Sequence, residues 1–240
     1  DHRRENLRVG HPARYSMVVV PAFIEGVALG AAVAPFLLHR WDMYRWDRDH
    51  SEQHVPKGKN HAEQLTILLP VWNESRVIEK KLANLAAQQL PFHLLVIDSA
   101  STDETMNLVD GWTASHPDAF TSVETIRMPE RKGKTAAVMQ ALSHLGQHAK
   151  GLVCMTDADA MLEQGCLHRM MQWFADPMVG AVGAVPNRVG DRHDEKLHRT
   201  AWEAMRLAES MVDSTPFLEG SCMMWRPTCL AIDDLNPGAN

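Results

Sequence analysis

The chain has 240 residues, enough for one domain of ordinary size plus an appendage, and its 45% hydrophobic content supplies a sizeable core. The formal net charge of −6 is uneven: nine Lys/Arg stand against seven Asp/Glu in residues 1–60, and fifteen against twenty-three in the remainder. An acidic domain excludes the wrapping of nucleic acid, which takes a basic face. Cys154, Cys166, Cys222 and Cys229 have neither CxxC nor zinc-ligand spacing, even with thirteen histidines present, and read as reduced, packed thiols.

In chain order, "MVVVPAFIEGVALGAAVAPFLL" (17–38) carries a single charge, Glu25. It is long enough for a membrane span, which needs roughly 20 apolar residues. Arg14 precedes it, and Arg40, Trp41, Tyr44, Arg45 and Trp46 follow as an interfacial belt. Residues 1–46 are therefore expected to form a flank and a transmembrane helix. Basic residues on both sides leave its orientation open, and a buried core helix is the alternative. Residues 47–63 are polar with Pro and Gly, a linker. Residues 64–240 then alternate strand and helix. Segments at 65–70, 93–98, 122–128, 151–156 and 178–185 read as strands. Helices are expected at 75–89, from Ser101 and Glu104 (a capping-box pattern) to about His116, at 134–146 and at 194–212. This rhythm predicts an α/β domain with a mostly parallel sheet flanked by helices. The chain opens on Asp1 and closes on turn-forming residues, as expected of a piece clipped at both ends.

In such a sheet ligands bind beyond the carboxyl ends of the strands. Asn73 and Glu74 follow the first strand, Asp98 ends the second, Arg131, Lys132 and Lys134 follow the third, and Asp157 and Asp159 end the fourth. Two carboxylates one residue apart repel. They can share a hard divalent cation, Mg²⁺ or Mn²⁺, which keeps open positions for water and substrate phosphates. That pattern points to a diphosphate ligand, with the basic residues adding charge. An acidic loop without metal is the other reading of the spacing.

Four stretches in order, "PVWNES", "VIDSASTDET", "RKGKTAAVMQAL" and "MTDADAML", resemble the family-2 glycosyltransferases over about residues 65–230. The resemblance implies the glycosyltransferase-A fold and transfer of a sugar from a nucleotide-diphosphate donor to an acceptor, with inversion at the anomeric carbon. By position it implies that Pro70, Asn73 and Glu74 shape the nucleotide pocket and that Asp98 meets the base or ribose. Asp103 is expected to cap its helix. Gly133 and Lys134 match the Gly-Lys before the third helix. Asp157 and Asp159 match the DxD pair, one on the donor side and the other on the metal. "FLEGSCMMWRPTCL" (217–230) resembles the acceptor-side stretch, with Glu219, Gly220 and Ser221 as candidates. Together with the apolar segment, the resemblance implies a membrane protein, single- or multi-pass, whose catalytic domain faces the cytoplasm and acts on a lipid-linked or glycan acceptor.

The chain departs from the family pattern at Ser99, where a second Asp is frequent, and at Met139, where an Asn is. The expected catalytic base falls past Asn240, since Asp233 and Asp234 come too early. A P-loop is excluded because residue 128 is Met where that motif needs Gly. A sugar nucleotidyltransferase would want a Gly-rich, Arg-containing loop after the first strand, and an Asp-nucleophile phosphatase would open its domain on "DADA". A membrane-tethered module that binds nucleotide sugar without turnover is the remaining alternative.

Overall fold

A computed structural model describes residues 13–49, 64–146, 151–186, 206, 209, 210, 218 and 220–229. The chain divides into two compact units, Asp1–Gln53 with Ala204–Ser214, and His54–Glu203 with Thr215–Asn240. In the first unit, α1 runs unbroken over Ala13–Asp49 and takes in the segment expected to span a membrane. Side chains are described for 24–42, 44 and 45, and all are exposed, Phe36, Leu37 and Trp41 among them. Among the described residues no helix is long and apolar enough to cross a membrane. Arg206, Glu209 and Ser210 are helical, while the rest of the helix expected at 194–212 lies outside the described residues. The expected linker begins inside α1, and its residues 50–63 also lie outside them.

The second unit is built on β1 (Leu65–Val71), α2 (Ile78–Ala86), β2 (His93–Asp98), α3 (Thr105–Ser115), β3 (Ser122–Arg127), α4 (Gly133–Leu145), β4 (Leu152–Thr156), α5 (Cys166–Trp173), β5 (Ala181–Gly183) and β6 (Cys222–Trp225). The strands form one sheet in the order β3-β2-β1-β4-β6-β5. The pairs β3–β2, β2–β1 and β1–β4 are parallel, whereas β6 is antiparallel to both β4 and β5. The sheet is thus mixed. β6 is a strand that the sequence reading missed, and it occupies part of the stretch assigned to the acceptor side.

Period-two alternation divides the strands between two cores. Leu65, Ile67, Leu69, Leu94, Val96 and Cys154 meet Ile78, Leu82 and Leu85 of α2, Val109 of α3 and Leu167 and Met170 of α5. Leu68, Leu95, Ile97, Val153 and Met155 meet Ala137, Ala141 and Leu142 of α4 on the opposite face. Burial on both sides explains why β1 and β4 read as continuous apolar runs. Proline is rare within a sheet because it cannot donate a ladder bond. Pro70 is tolerated because the β1–β4 ladder ends at Leu68↔Met155, and beyond that point β1 is paired only with β2.

The fifth strand is shorter than expected. Asp176 takes the backbone N–H groups of Met178 and Val179 into a turn, at 2.8 and 3.1 Å, so pairing starts only at Ala181. Because Leu68 is fully buried at the centre of the sheet, Leu68→Ala should cost about 3 kcal/mol of unfolding free energy in urea titrations. A loss below about 1 kcal/mol would contradict this account of the core.

Candidate functional site

The strand order reverses between β1 and β4, the point of an open α/β sheet at which the loops leaving the strands' carboxyl ends take ligands. After β1, Asn73 adopts a left-handed backbone (φ 55°), as does Ala100 after β2 (φ 60°). Such conformations are costly for residues with a side chain, and are held only where the surroundings fix them. Here the two loops fix each other. The Asn73 N–H donates to Ser101 Oγ (2.9 Å), and the Thr102 N–H donates to Asn73 Oδ1 (2.8 Å). The Glu74 N–H donates to Thr105 Oγ1 (2.7 Å), and the Ser75 N–H to Asp103 Oδ2 (3.1 Å).

Asp103 also accepts the Thr105 N–H at 3.0 Å, in the first turn of α3. The capping box expected from Ser101 and Glu104 does not form. Asp103 holds the helix start, as the resemblance implied for it, and Ser101 is drawn to Asn73. Burial pushes the Asp103 carboxyl up, but hydrogen bonds from Thr105 and Ser75 outweigh it and hold the pKa at about 2. Asp98 is buried at the end of β2, where its Oδ1 accepts the Ser101 N–H (2.9 Å). The neighbouring Ser99 hydroxyl is buried without a partner among the described residues. Pro70 is half-buried in β1, and Trp72 lies just beyond that strand with the Arg131 guanidinium 3.5 Å from its ring centroid.

At the end of β4, Asp157 is half-buried and Asp159 is exposed. Lys134, in the first turn of α4, ion-pairs with Asp157 and donates to the Gly220 carbonyl at 2.9 Å. The Asp157 N–H donates to the Ser221 carbonyl at 3.0 Å. Ser221 is therefore tied directly to Asp157 and Gly220 is tied to it through Lys134, while Glu219 lies outside the described residues. Of the three basic residues expected to serve the diphosphate, only Lys134 reaches the pair. Lys132 binds Glu130 at 2.9 Å, and Arg131 lies on Trp72.

Burial raises the Glu74 pKa, and Asp159, Asp103 and Asp157 raise it further, so Glu74 shares the field of the acidic pair. Among the described residues no group of three or more His, Cys, Asp or Glu side chains is placed to hold a metal ion by itself. Asp157 and Asp159 are all-oxygen donors with a further carboxylate in their field and one exposed lysine against them. That donor set fits a hard divalent cation that retains positions for other ligands.

Sequence reasoning missed Lys81 beneath this loop. It is 0% exposed and donates to Thr156 Oγ1 (2.8 Å) and to the Ala160 carbonyl. Burial lowers its pKa to about 8, against the opposing pull of Cys222, Cys154, Asp157 and Asp159. The available signal was its position three residues after Ile78 and four before Leu85, on the apolar face of α2.

Residues 66–227 match the profile of glycosyl transferase family 2. The chain is 30% identical over 129 residues to poly-beta-1,6-N-acetyl-D-glucosamine synthases of several Staphylococcus aureus strains, such as COL, an alignment covering 53% of this chain and 29% of theirs. The fold is similar to that of a mannosyltransferase from Pyrobaculum calidifontis solved with GDP-Man and Mn²⁺, at 30% identity and a TM-score of 0.68, covering 84% of this chain and 55% of that one. The chain thus spans under a third of the synthases' length and about half of the mannosyltransferase's.

The Asp103 carboxyl titrates lower in the folded chain (about 2) than its ordinary value of 3.8. Its contribution is therefore full above that ordinary value and is lost as pH falls through about 2. Asp103→Ala should destabilise the unit by about 1 kcal/mol at neutral pH. In urea titrations across pH, the gap between parent and variant should close as pH falls from about 4 to about 2. A gap independent of pH would contradict the assignment.

Proposed function

The chain belongs to glycosyl transferase family 2, and on that premise we propose that it moves a sugar from a nucleotide-diphosphate donor to an acceptor hydroxyl, with inversion and with the help of Mg²⁺ or Mn²⁺. One observation carries this reading. Asp157 and Asp159 leave β4 beside the β1 loop, in the field of Glu74, with Lys134 joining Asp157 to the Gly220 carbonyl. The GDP-Man and Mn²⁺ in the mannosyltransferase structure support a nucleotide-sugar donor and a divalent cation. The synthases' name supports a glycan acceptor.

Asp98, with one oxygen committed to Ser101, keeps the other for the nucleoside. The Asn73 loop and Pro70 form the wall beside it. Asp159 and Asp157 would hold the cation, which when bound supplies Lewis-acid stabilisation of charge on the departing diphosphate. Lys134 supplies a mobile cationic partner for the same phosphates. Gly220 and Ser221 fix the edge of the crevice where the acceptor enters. An acidic base takes the proton from the acceptor hydroxyl, and the resulting oxygen displaces the diphosphate from the opposite face. Exposed apolar side chains along α1, Ile24, Val27 and Leu37 among them, support a lipid surface as the place where a lipid-linked or glycan acceptor is met.

Donor binding is the assay that reads these residues directly. Calorimetry with UDP-, GDP- and dTDP-sugars, in Mn²⁺ or Mg²⁺ and again with chelator, should show metal-dependent binding of one donor class. Asp159→Asn should abolish the metal dependence. Asp98→Ala should weaken binding about tenfold without removing it. Equal binding by parent and both variants would overturn the site assignment.

A further inference from the structure

The site contains a fully buried cation to which the proposed chemistry assigns no task. Lys81 lies on α2, surrounded on its own helix face by Ile78, Leu82 and Leu85, all fully buried. An isolated buried ammonium is expensive, and well-packed apolar residues in the place of buried charges are often neutral or stabilising. Packing alone therefore gives no reason for a lysine here.

Its hydrogen bonds give one. The ammonium donates to Thr156 Oγ1 at 2.8 Å and to the Ala160 carbonyl, the first and last residues of the turn that carries Asp157 and Asp159. Within the turn, the Ala160 N–H donates to the Asp157 carbonyl at 3.3 Å. On the far side, the Thr156 hydroxyl and the Asp157 N–H both donate to the Ser221 carbonyl, at 3.2 and 3.0 Å. A single charged group thus joins α2, both ends of the acidic turn and, through Thr156, the start of β6.

We infer that Lys81 is a positioning residue. Its buried ammonium clamps the Thr156–Ala160 turn at both ends, and so fixes the spacing and direction in which Asp157 and Asp159 face a divalent cation and a diphosphate. The inference rests on the reading of those two aspartates as the donor-holding pair. Lys81 does not touch substrate, because its side chain is sealed from solvent. Its charge also reaches both aspartates from beneath, so the same group that sets their geometry offsets part of their mutual repulsion.

Lys81→Met keeps the length of the side chain and removes its charge and donors. Thr156→Val keeps the shape of that side chain and removes one arm of the clamp. Amide hydrogen exchange reads the clamp without any metal. In both variants the Asp157 and Ala160 amides should exchange about tenfold faster, while Val153 and Met155 in β4 stay as in the parent. Mn²⁺ binding to the chain alone, followed by electron paramagnetic resonance, should weaken about tenfold in Lys81→Met. A purely structural role for Lys81 would change protection throughout β4 and leave Mn²⁺ affinity unchanged, and that result overturns the inference. Should Lys81→Met fail to fold, Thr156→Val decides alone, and parent-like exchange at Asp157 and Ala160 overturns the clamp. A parent chain that binds no Mn²⁺ overturns the metal reading instead, and the exchange data still decide the clamp.

Discussion

The parallel pairing of β1 with β4 is the constraint from which the site follows. β1 is hydrogen-bonded to β2 on one side and to β4 on the other, and all three run in the same direction. The chain from β3 must therefore cross the sheet through α4 before β4 can form. That crossing delivers the acidic turn next to the loop that follows β1. It also brings the first turn of α4, with Lys134, to the same rim. The small residues Ala137 and Ala141, fully buried one turn apart on α4, let that helix lie close against Leu68, Leu95 and Val153. Core packing and site geometry are thus one problem: the helix that covers this face also carries the lysine that reaches Asp157.

Charge sets the second constraint. Like charges about 5 Å apart at an effective dielectric of about 20 repel by about 3 kcal/mol, comparable with a good part of a domain's net stability. Glu74, Asp157 and Asp159 share one field, and two lysines answer it in different ways. Lys134 is exposed and paired with Asp157, and in the proposed reaction it turns to the phosphates. Lys81 is buried and cannot leave. With an exposed cation on Asp157 and a buried one beneath the turn, Asp159 has no ion pair among the described residues, which is the arrangement the proposed metal site calls for.

The central part of this architecture was legible in the sequence because its signals are local. The strands β1, β2 and β4 carry dense apolar runs, and β2 was placed over its full length, His93–Asp98. The misses have physical causes. β6 is only four residues, "CMMW", too short to show alternation, and it exists because β4 offers an unpaired edge. α5, "CLHRMMQW", is a two-turn helix with no side-chain cap, and it is held by burial of Leu167 and Met170. Ser101 and Glu104 carried a valid capping signal, but Asp98 takes the Ser101 N–H, the Ser101 hydroxyl accepts the Asn73 N–H and the Glu104 carboxylate accepts from Asn107, so the box does not close. At the site, the order of motifs placed Asn73, Glu74, Asp98, Lys134, Asp157 and Asp159 at one rim. Sequence could not sort the basic residues after β3, because the partners of Arg131 and Lys132 depend on side-chain directions. For Lys81 only its place on an apolar helix face was legible; its partners, 75 and 79 residues away, were not.

The central claim is that the paired aspartates at the β1–β4 crevice hold a divalent ion against a nucleoside diphosphate. Anomalous diffraction from crystals grown with Mn²⁺ and a nucleoside diphosphate tests it most directly. The account requires a manganese peak in coordination contact with the Asp159 carboxylate, with the diphosphate on its open side facing Lys134. A peak elsewhere, or a diphosphate seated in the crevice with no metal at Asp159, would contradict it.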